Sequence, residues 1–215
     1  MNALVRYLLA DVLRSQRFLA PVMVFLAVLG MLYASDAGVP LIAYAGSCVL
    51  IYPVAVWLTV VVATAEDPVR RSVTVVAAGG WGRVQGAVAM SAALCACLLA
   101  LVATGVPVLT QSRPYPPEVV AQGFGAHLVC GLTGVGVGLL CARPVITRLG
   151  WGVLAATALV VLPFPLGRVP PVGSVLGALN DQRGVLPVLL VSGACALALL
   201  VIATLTATKL GPRRG

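Results

Sequence analysis

The charges that lie closest together in the sequence are those of Glu66, Asp67, Arg70 and Arg71. An aspartate followed by a proline, here Asp67 and Pro68, can begin a helix, and arginines in its first turn can make polar contacts. Only 9% of the 215 residues are charged, and two long apolar runs flank this cluster. Charge concentrated in this way indicates a segment with a specific task at the edge of an apolar region.

Few other residues suggest chemistry. His127 lies in an apolar run and is either a proton relay or substrate contact, or a hydrogen-bonded packing residue. All six cysteines also lie in apolar runs, so we expect buried hydrophobic side chains and neither disulfides nor metal ligands. The sequence contains no GxxxxGK[ST] motif and no hydrolytic constellation. We therefore expect no catalytic, cofactor or metal site in this chain.

The composition is that of a membrane protein. Hydrophobic residues make up 60% of the chain, whereas a soluble domain has roughly 45–50% apolar and about 25% charged residues. The mean hydropathy is +1.07. We expect an all-α integral membrane protein that forms one domain over residues 1–215.

Six apolar runs approach the roughly 20 residues that a helix needs to cross a bilayer. They are Phe18–Ala34, Leu41–Thr64, Val84–Val106, Val119–Ala142, Leu149–Leu166 and Val185–Thr208. No small-residue cleavage site follows the first run, so we expect it to be retained rather than removed as a signal peptide. The sequence therefore predicts six transmembrane helices.

The basic residues predict the orientation. With six spans, 11 of the 14 Lys and Arg residues fall on the side of the N-terminus, and only Arg113, Arg168 and Arg183 fall on the other. Because short cytoplasmic loops carry the excess of Lys and Arg, both termini are predicted to be cytoplasmic. The same rule accounts for the net charge of +8, so no nucleic acid partner is expected.

Two segments on the cytoplasmic side read as short helices. Residues 1–17 are amphipathic, with arginines opposite leucines, which favours a helix along the membrane interface; a plain extension of the first span is the alternative. Residues 67–78 place Val69, Val73 and Val76 on one stripe before a Gly79-Gly80 stop. We expect a helix across the cytoplasmic mouth, and a solvated loop helix is the alternative.

The outer side has two further segments. Residues 167–184 follow Pro163 and Pro165 and carry apolar residues at helical spacing, which favours a short helix that re-enters the outer leaflet over a plain surface helix. Residues 107–118 contain four prolines and are expected to form an extended loop. Within the fourth run, Gly134 and Gly138 form a GxxxG pair, which favours close helix contact.

The order of these elements resembles a known family. An interfacial N-terminal helix, two spans, a short cytoplasmic helix and four spans with an outer re-entrant segment between the last two resemble the membrane subunit of ABC-2-type (type V) ABC transporters. The stretch from Thr64-Ala-Glu-Asp-Pro-Val-Arg-Arg to Gly79-Gly-Trp-Gly-Arg83 also resembles small actinobacterial permeases of this type. The resemblance covers nearly the whole chain.

The resemblance implies a function and its partners. The helix at 67–78 would be the coupling helix of an exporter in a bacterial plasma membrane, and a separate P-loop ATPase would bind the ATP and Mg²⁺. A second permease copy or a related permease would complete the complex, surrounded by membrane lipids. The ATPase-coupling residues would be Glu66, Asp67, Arg70, Arg71, Val73, Val76, Arg14 and Arg17.

The substrate path implied by the resemblance runs along the first, second and fifth spans. Its apolar character suggests a lipid, a hydrophobic drug or a peptide as substrate. Tyr44, Tyr52, Thr59, His127 and Phe164 are the candidate contacts.

Two other functions fit the same composition. An ion-coupled secondary transporter or channel needs polar groups at the midplane or broken helices, and only His127 and residues 163–165 offer these. A non-transporting membrane scaffold or immunity protein needs no ATPase partner at all. Dependence on a proton gradient, or the lack of an ATPase, would separate these functions from that of an ATP-driven permease.

Overall fold

The computed structural model describes residues 1–146, 149–163 and 167–214, without the side chains of Pro68, Leu149 and Arg214. Within these residues the chain forms nine helices and no strand. The helices are α1 (Asn2–Ser15), α2 (Leu19–Leu32), α3 (Pro40–Ala63), α4 (Pro68–Ala78), α5 (Trp81–Thr110), α6 (Pro117–Cys141), α7 (Leu149–Val161), α8 (Val172–Asp181) and α9 (Val185–Arg214). The predicted all-helical class is confirmed.

The centre of the fold is the close packing of α3 on α6. A Cβ atom added at Gly134 would lie 2.7 Å from the carbonyl oxygen of Tyr52, and one at Gly138 would lie 2.6 Å from Cβ of Thr59. Only glycine permits this approach of the two backbones, as expected for small residues at helix interfaces in membranes. The predicted role of the GxxxG pair in close contact is confirmed.

The surface of the bundle is apolar along much of its length. Helices α3, α5, α6 and α9 are each long and apolar enough to cross a membrane, and α1 with α2 would add a fifth crossing if that pair, bent by 77°, is one broken span. Exposed large side chains on α5 and α9 include Met90, Leu94, Leu98, Leu101, Leu186, Leu190, Val201 and Leu205. Water would solvate such a surface poorly, whereas lipid matches it. The chain is therefore a multi-pass membrane protein.

The six-span prediction depends on two short helices. Helix α2 has 14 residues and α7 has 13, both fewer than the roughly 20 that an untilted span needs. Four spans follow from length and composition, with the α1–α2 pair as a possible fifth. A count of six remains a prediction.

The two ends of the bundle differ in character. We call the end that holds α1, α4, the last turn of α3 and Arg143 the basic end. The C-terminal part of α9 lies here too, because a Cβ atom at Gly82 would lie 3.6 Å from Cγ2 of Thr208. At the opposite end, Gln111 accepts a bond from the Ala37 N–H at 3.0 Å and Arg113 pairs with Asp36 at 3.0 Å.

Three segments differ in part from the predictions. Helix α1 stops at Ser15, two residues early, because Gln16 adopts a left-handed conformation with φ of 54°. The predicted loop at 107–118 is shorter, since α5 continues through Pro107 to Thr110 and α6 begins at Pro117. A proline this near the end of a helix disturbs few of its hydrogen bonds. Within 167–184, helix α8 is confirmed and buries Val175 and Leu179.

Candidate functional site

Helix α4 forms as the sequence predicts, with one difference at its start. It begins at Pro68 and ends before Gly79, which has a φ of 80°, a conformation that glycine adopts without strain. Asp67 occupies the N-cap position, but its side chain makes no capping hydrogen bond. The predicted bounds of 67–78 are correct to within one residue.

The apolar stripe of α4 has no cover from the rest of the described chain. Val69, Val73 and Val76 are 71%, 66% and 81% exposed. Valines on a short helix usually bury this stripe against their own fold, because each buried side chain contributes about 1.5–3 kcal/mol. The stripe is therefore open to water, lipid or another protein.

Arg70 and Arg71 point away from that stripe in two directions. Nη1 of Arg70 lies 3.7 Å from Oδ1 of Asp11 on α1, and Nη2 of Arg70 lies 3.5 Å from the Tyr7 hydroxyl. Nη1 of Arg71 instead donates to the carbonyl oxygen of Ala63, the last residue of α3, at 2.9 Å. The two arginines thus attach α4 to α1 on one side and to the long central helix α3 on the other.

Glu66 and Arg71 are buried, each only 8% exposed. Glu66 accepts a hydrogen bond from Oγ1 of Thr74 at 2.8 Å, which ties the segment before α4 to the middle of α4. Burial lowers the pKa of Arg71, and the negative charge of Glu66 opposes that shift. Both residues contact other parts of this chain, Arg71 the end of α3 and Glu66 the middle of α4, and their predicted contact with an ATPase stays a prediction.

The remaining predicted coupling residues lie at the surface. Arg14 stands in the last turn of α1 and Arg17 just beyond it, and both are exposed. A groove of about 670 Å³ separates α1 from α4. It is lined by Met1, Ala3, Leu4, Tyr7, Val73, Thr74, Ala77, Ala78 and Arg83.

A second, larger cavity of about 1020 Å³ opens at the basic end between α3 and α7. Its long walls are apolar and come from Pro53, Val56, Trp57 and Val60 of α3 and from Gly152, Val153, Ala156 and Val160 of α7. Among the described residues, five charged side chains stand at its mouth: Arg17, Glu66, Asp67, Arg71 and Arg143. The cavity is thus amphipathic, with a charged mouth above an apolar cleft.

The cavity lies between α3 and α7, which correspond to the second and fifth predicted spans and thus to two of the three spans of the predicted substrate path, but four of the predicted contact residues lie elsewhere. Tyr44, Tyr52, Thr59 and His127 are at most 1% exposed and do not line the cavity. Tyr52 donates from its hydroxyl to the carbonyl oxygen of Leu159 at 2.8 Å, and Thr59 donates to Ala55 of its own helix. These side chains fill the interior instead of an opening; Phe164 lies outside the described residues.

His127 belongs to a polar cluster shared by α3, α5 and α6. Its Nε2 lies 2.7 Å from Oγ of Ser47, and its Nδ1 lies 3.1 Å from Oγ1 of Thr104. The ring of Tyr44 meets the imidazole edge-on, with ring centroids 5.4 Å apart. Both ring nitrogens thus have hydroxyl partners, as the packing alternative predicts.

Neither composition nor residue spacing predicts the cavity itself, although two residues that line it stand out in the sequence. Trp57 interrupts an aliphatic run with a large aromatic side chain, and Arg143 closes the apolar run of α6. Neither signal shows that α3 and α7 stand apart, because that spacing depends on the packing of both helices against α6. No group of three His, Cys, Asp or Glu side chains suited to a metal ion occurs in the described part of the chain.

Comparison of the chain with protein-family models, with curated proteins and with solved structures finds no significant match.

Proposed function

We propose that this chain is the transmembrane subunit of an ATP-driven transporter of the ABC-2 type, and that α4 is its coupling helix. The observation that carries the proposal is the exposed stripe of Val69, Val73 and Val76. A helix whose apolar side is uncovered, and whose other side is fixed at two points, suits the transmission of movement from a partner.

The attachments of α4 support this role. Arg70 links it to α1, while Arg71 links it to the end of α3. A single contact, that of Arg71 with Ala63, would therefore pass a force on the valine stripe to α3, which is long enough to span the membrane. An isolated loop helix in solvent would need neither attachment.

The groove between α1 and α4 suits a docking surface. It combines apolar side chains such as Leu4 and Val73 with the polar groups of Tyr7 and Arg83. Exposed Arg14 and Arg17 extend the basic surface next to it. Interfaces of this composition, with an apolar centre and a charged rim, are common between protein subunits.

The complete proposal assigns six spans, with α2 and α7 as short members that thin the bilayer locally and α1 along the interface. Both termini are cytoplasmic in a bacterial plasma membrane, as the excess of basic residues favours. ATP and Mg²⁺ are bound by a separate P-loop ATPase, and a second copy or a related permease completes the pathway. The exported substrate is apolar or amphipathic: a lipid, a drug or a peptide.

The experiment is a mild-detergent purification of the tagged chain from its native host, followed by mass spectrometry of bound proteins. We expect a P-loop ATPase in stoichiometric amount, and its loss in the Val73→Asp variant. The matched control is Val169→Asp, the same change at an exposed position outside the basic end. It should keep the ATPase.

Two results would contradict the proposal. One is a folded, monodisperse preparation without any ATPase, which would favour a secondary transporter or scaffold. The other is an ATPase retained by Val73→Asp as well as by wild type, which would remove α4 from the docking surface.

A further inference from the structure

The buried guanidinium of Arg71 is the starting point. Among its nitrogens, Nη1 bonds to the Ala63 carbonyl, while Nε and Nη2 have no hydrogen-bond partner in the described part of the chain. Leaving buried N–H donors unpaired costs free energy, and the cost is larger for a charged group. Native proteins rarely keep such donors without a purpose, so this pair needs an explanation.

The two unpaired nitrogens form one edge of the guanidinium plane. Nε and Nη2 point in the same direction, which is the geometry that binds both oxygens of a carboxylate or phosphate. Glu66 does not fill this role, because no ion pair within 4.0 Å joins it to Arg71. The edge therefore has no oxyanion partner among the described residues.

Arg71 is part of the wall at the mouth of the amphipathic cavity. Arg17 and Arg143, both exposed, stand at the same mouth and give an anion its first contacts. Glu66 and Asp67 also line it, so the described charges there are three positive and two negative. Because Nε and Nη2 are covered by neighbouring atoms, the Arg71 side chain must turn slightly to receive the anion.

The cleft beyond the mouth matches one leaflet of a membrane. Its α3 wall runs from Ala63 back to Pro53, ten residues or about 15 Å of helix. The hydrocarbon core of a bilayer is about 30 Å thick, so one leaflet is about 15 Å deep. The volume of about 1020 Å³ is just above the range of about 300–1,000 Å³ that is usual for small-molecule sites.

We propose that this cavity binds a phosphate-bearing amphiphile, with its phosphate on Arg17, Arg71 and Arg143 and its hydrocarbon chain between α3 and α7. Such a ligand combines the two features of the site: an oxyanion for the arginines and an apolar tail for Trp57, Val60 and Ala156. Because α3 and α7 are the second and fifth predicted spans, this inference narrows the substrate class of the proposed function and rests on it to that extent. Binding itself needs only one chain, so it can be measured whether or not an ATPase binds α4.

The test uses the full chain in nanodiscs of zwitterionic lipid, and the probe is 12-bromododecyl phosphate. Trp57 and Trp81 line the cavity, and bromine quenches indole fluorescence at short range. We expect saturable quenching by the phosphate probe, and only weak, unsaturable quenching by 12-bromododecanol. Equal quenching by the neutral alcohol would overturn the proposal, because the arginines would then contribute nothing.

Variants separate the contribution of the phosphate headgroup from that of the hydrocarbon tail. The double variant Arg17→Gln, Arg143→Gln should bind the probe with at least tenfold lower affinity. Arg213→Gln changes an arginine that does not line the cavity, and it should leave the affinity unchanged. Ala156→Phe should remove saturable binding by filling the cleft. Its matched control is Ala158→Phe, at an exposed position on the same helix that does not line the cavity and should bind as wild type does.

Competition identifies the source of the phosphate. Unlabelled dodecyl phosphate should displace the probe, and inorganic phosphate should do so only at concentrations at least a hundredfold higher. Displacement by inorganic phosphate at equal concentration would show a site for the free anion and would overturn the amphiphile. Unchanged binding by both the arginine variant and Ala156→Phe would place the probe outside the cavity and would equally overturn it.

Discussion

At the scale of single residues, the centre of the bundle holds a cluster of polar side chains that partner one another. Ser47, Thr104 and His127 lie within hydrogen-bonding distance across three helices. The Ser47 hydroxyl also lies 3.1 Å from the Tyr44 carbonyl oxygen, and the Thr104 hydroxyl lies 2.8 Å from that of Ala100. Such a cluster specifies the register of the packed helices and needs no proton to cross it.

His127→Leu tests this structural role. Two interhelical bonds are lost, and since such bonds average about 0.6 kcal/mol in membranes, we expect destabilisation of about 1 kcal/mol. Thermal unfolding in detergent measures it. Thr133→Val is the control, because that hydroxyl bonds only to Val129 of its own helix, and it should cost less. An unchanged melting temperature together with lost proton-coupled uptake would instead make His127 a relay.

The glycines of α6 allow a second prediction at this scale. Gly134→Ala places a methyl group 2.7 Å from the Tyr52 carbonyl oxygen, and we expect this overpacking to cost about 1–3 kcal/mol despite the better helix propensity of alanine. Gly131→Ala is the control in the same helix, because its nearest neighbour would be 3.4 Å away. Thermal unfolding compares the two variants. Equal stability of both would contradict the close contact of α3 and α6.

At the scale of elements, α4 is defined by neighbouring arginines with different partners. Arg70 reaches α1 and is largely exposed, while Arg71 reaches α3 and is buried. Because residues one apart on a helix point about 100° from each other, a short helix can join two elements in this way. The orientation of α4 follows from this pair rather than from its valines.

A double-mutant cycle between Arg70 and Asp11 measures the first attachment. Since Arg70 is more than half exposed, we expect a coupling free energy of up to about 1 kcal/mol that declines as salt is added. Unfolding of Arg70→Ala, Asp11→Asn and the double variant provides it. As a control, the effects of changing Arg70 and Asp36, which lie at opposite ends of the bundle, on the free energy of unfolding should be additive. Additivity of Arg70 with Asp11 at low salt would show that the ion pair contributes nothing.

Much of the element order could be predicted from the sequence. Long apolar runs define α3, α5, α6 and α9, and the Gly79-Gly80 stop defines the end of α4. The burial of Glu66 and Arg71 could not be predicted, because charge pattern alone does not show which side of a short helix faces the bundle. The cavity could not be predicted for a similar reason. It is a space between α3 and α7, and the distance between two packed helices has no local pattern in a sequence.

At the scale of the whole molecule, an apolar surface covers a bundle with one strongly basic end. The excess of 11 basic residues over 3 predicts that this end faces the cytoplasm. If the short helices α2 and α7 cross the bilayer, they must stand nearly upright and thin it locally. A hydrophobic mismatch of several ångströms is tolerated at modest cost. The orientation and the span count are therefore tested together.

Labelling of single added cysteines tests that orientation. Ser112→Cys lies in the link between α5 and α6 and Ala77→Cys lies on α4, and both positions are exposed. In intact cells a membrane-impermeant maleimide should label Ser112→Cys alone. Ala77→Cys should react only after permeabilisation, and the unmodified chain gives the background from the six native cysteines. Labelling of Ala77→Cys in intact cells would reverse the topology and end the proposed coupling role of α4.

The most direct test of the central claim is a photocrosslink from α4 in living cells. Val76 is the most exposed valine of the stripe, and a benzoylphenylalanine in its place would contact whatever covers it. We predict a single protein adduct whose mass and peptides identify a P-loop ATPase, with no such adduct from Val169. Adducts to lipid alone at Val76, in a chain that is inserted and folded, would contradict the claim that α4 is a coupling helix.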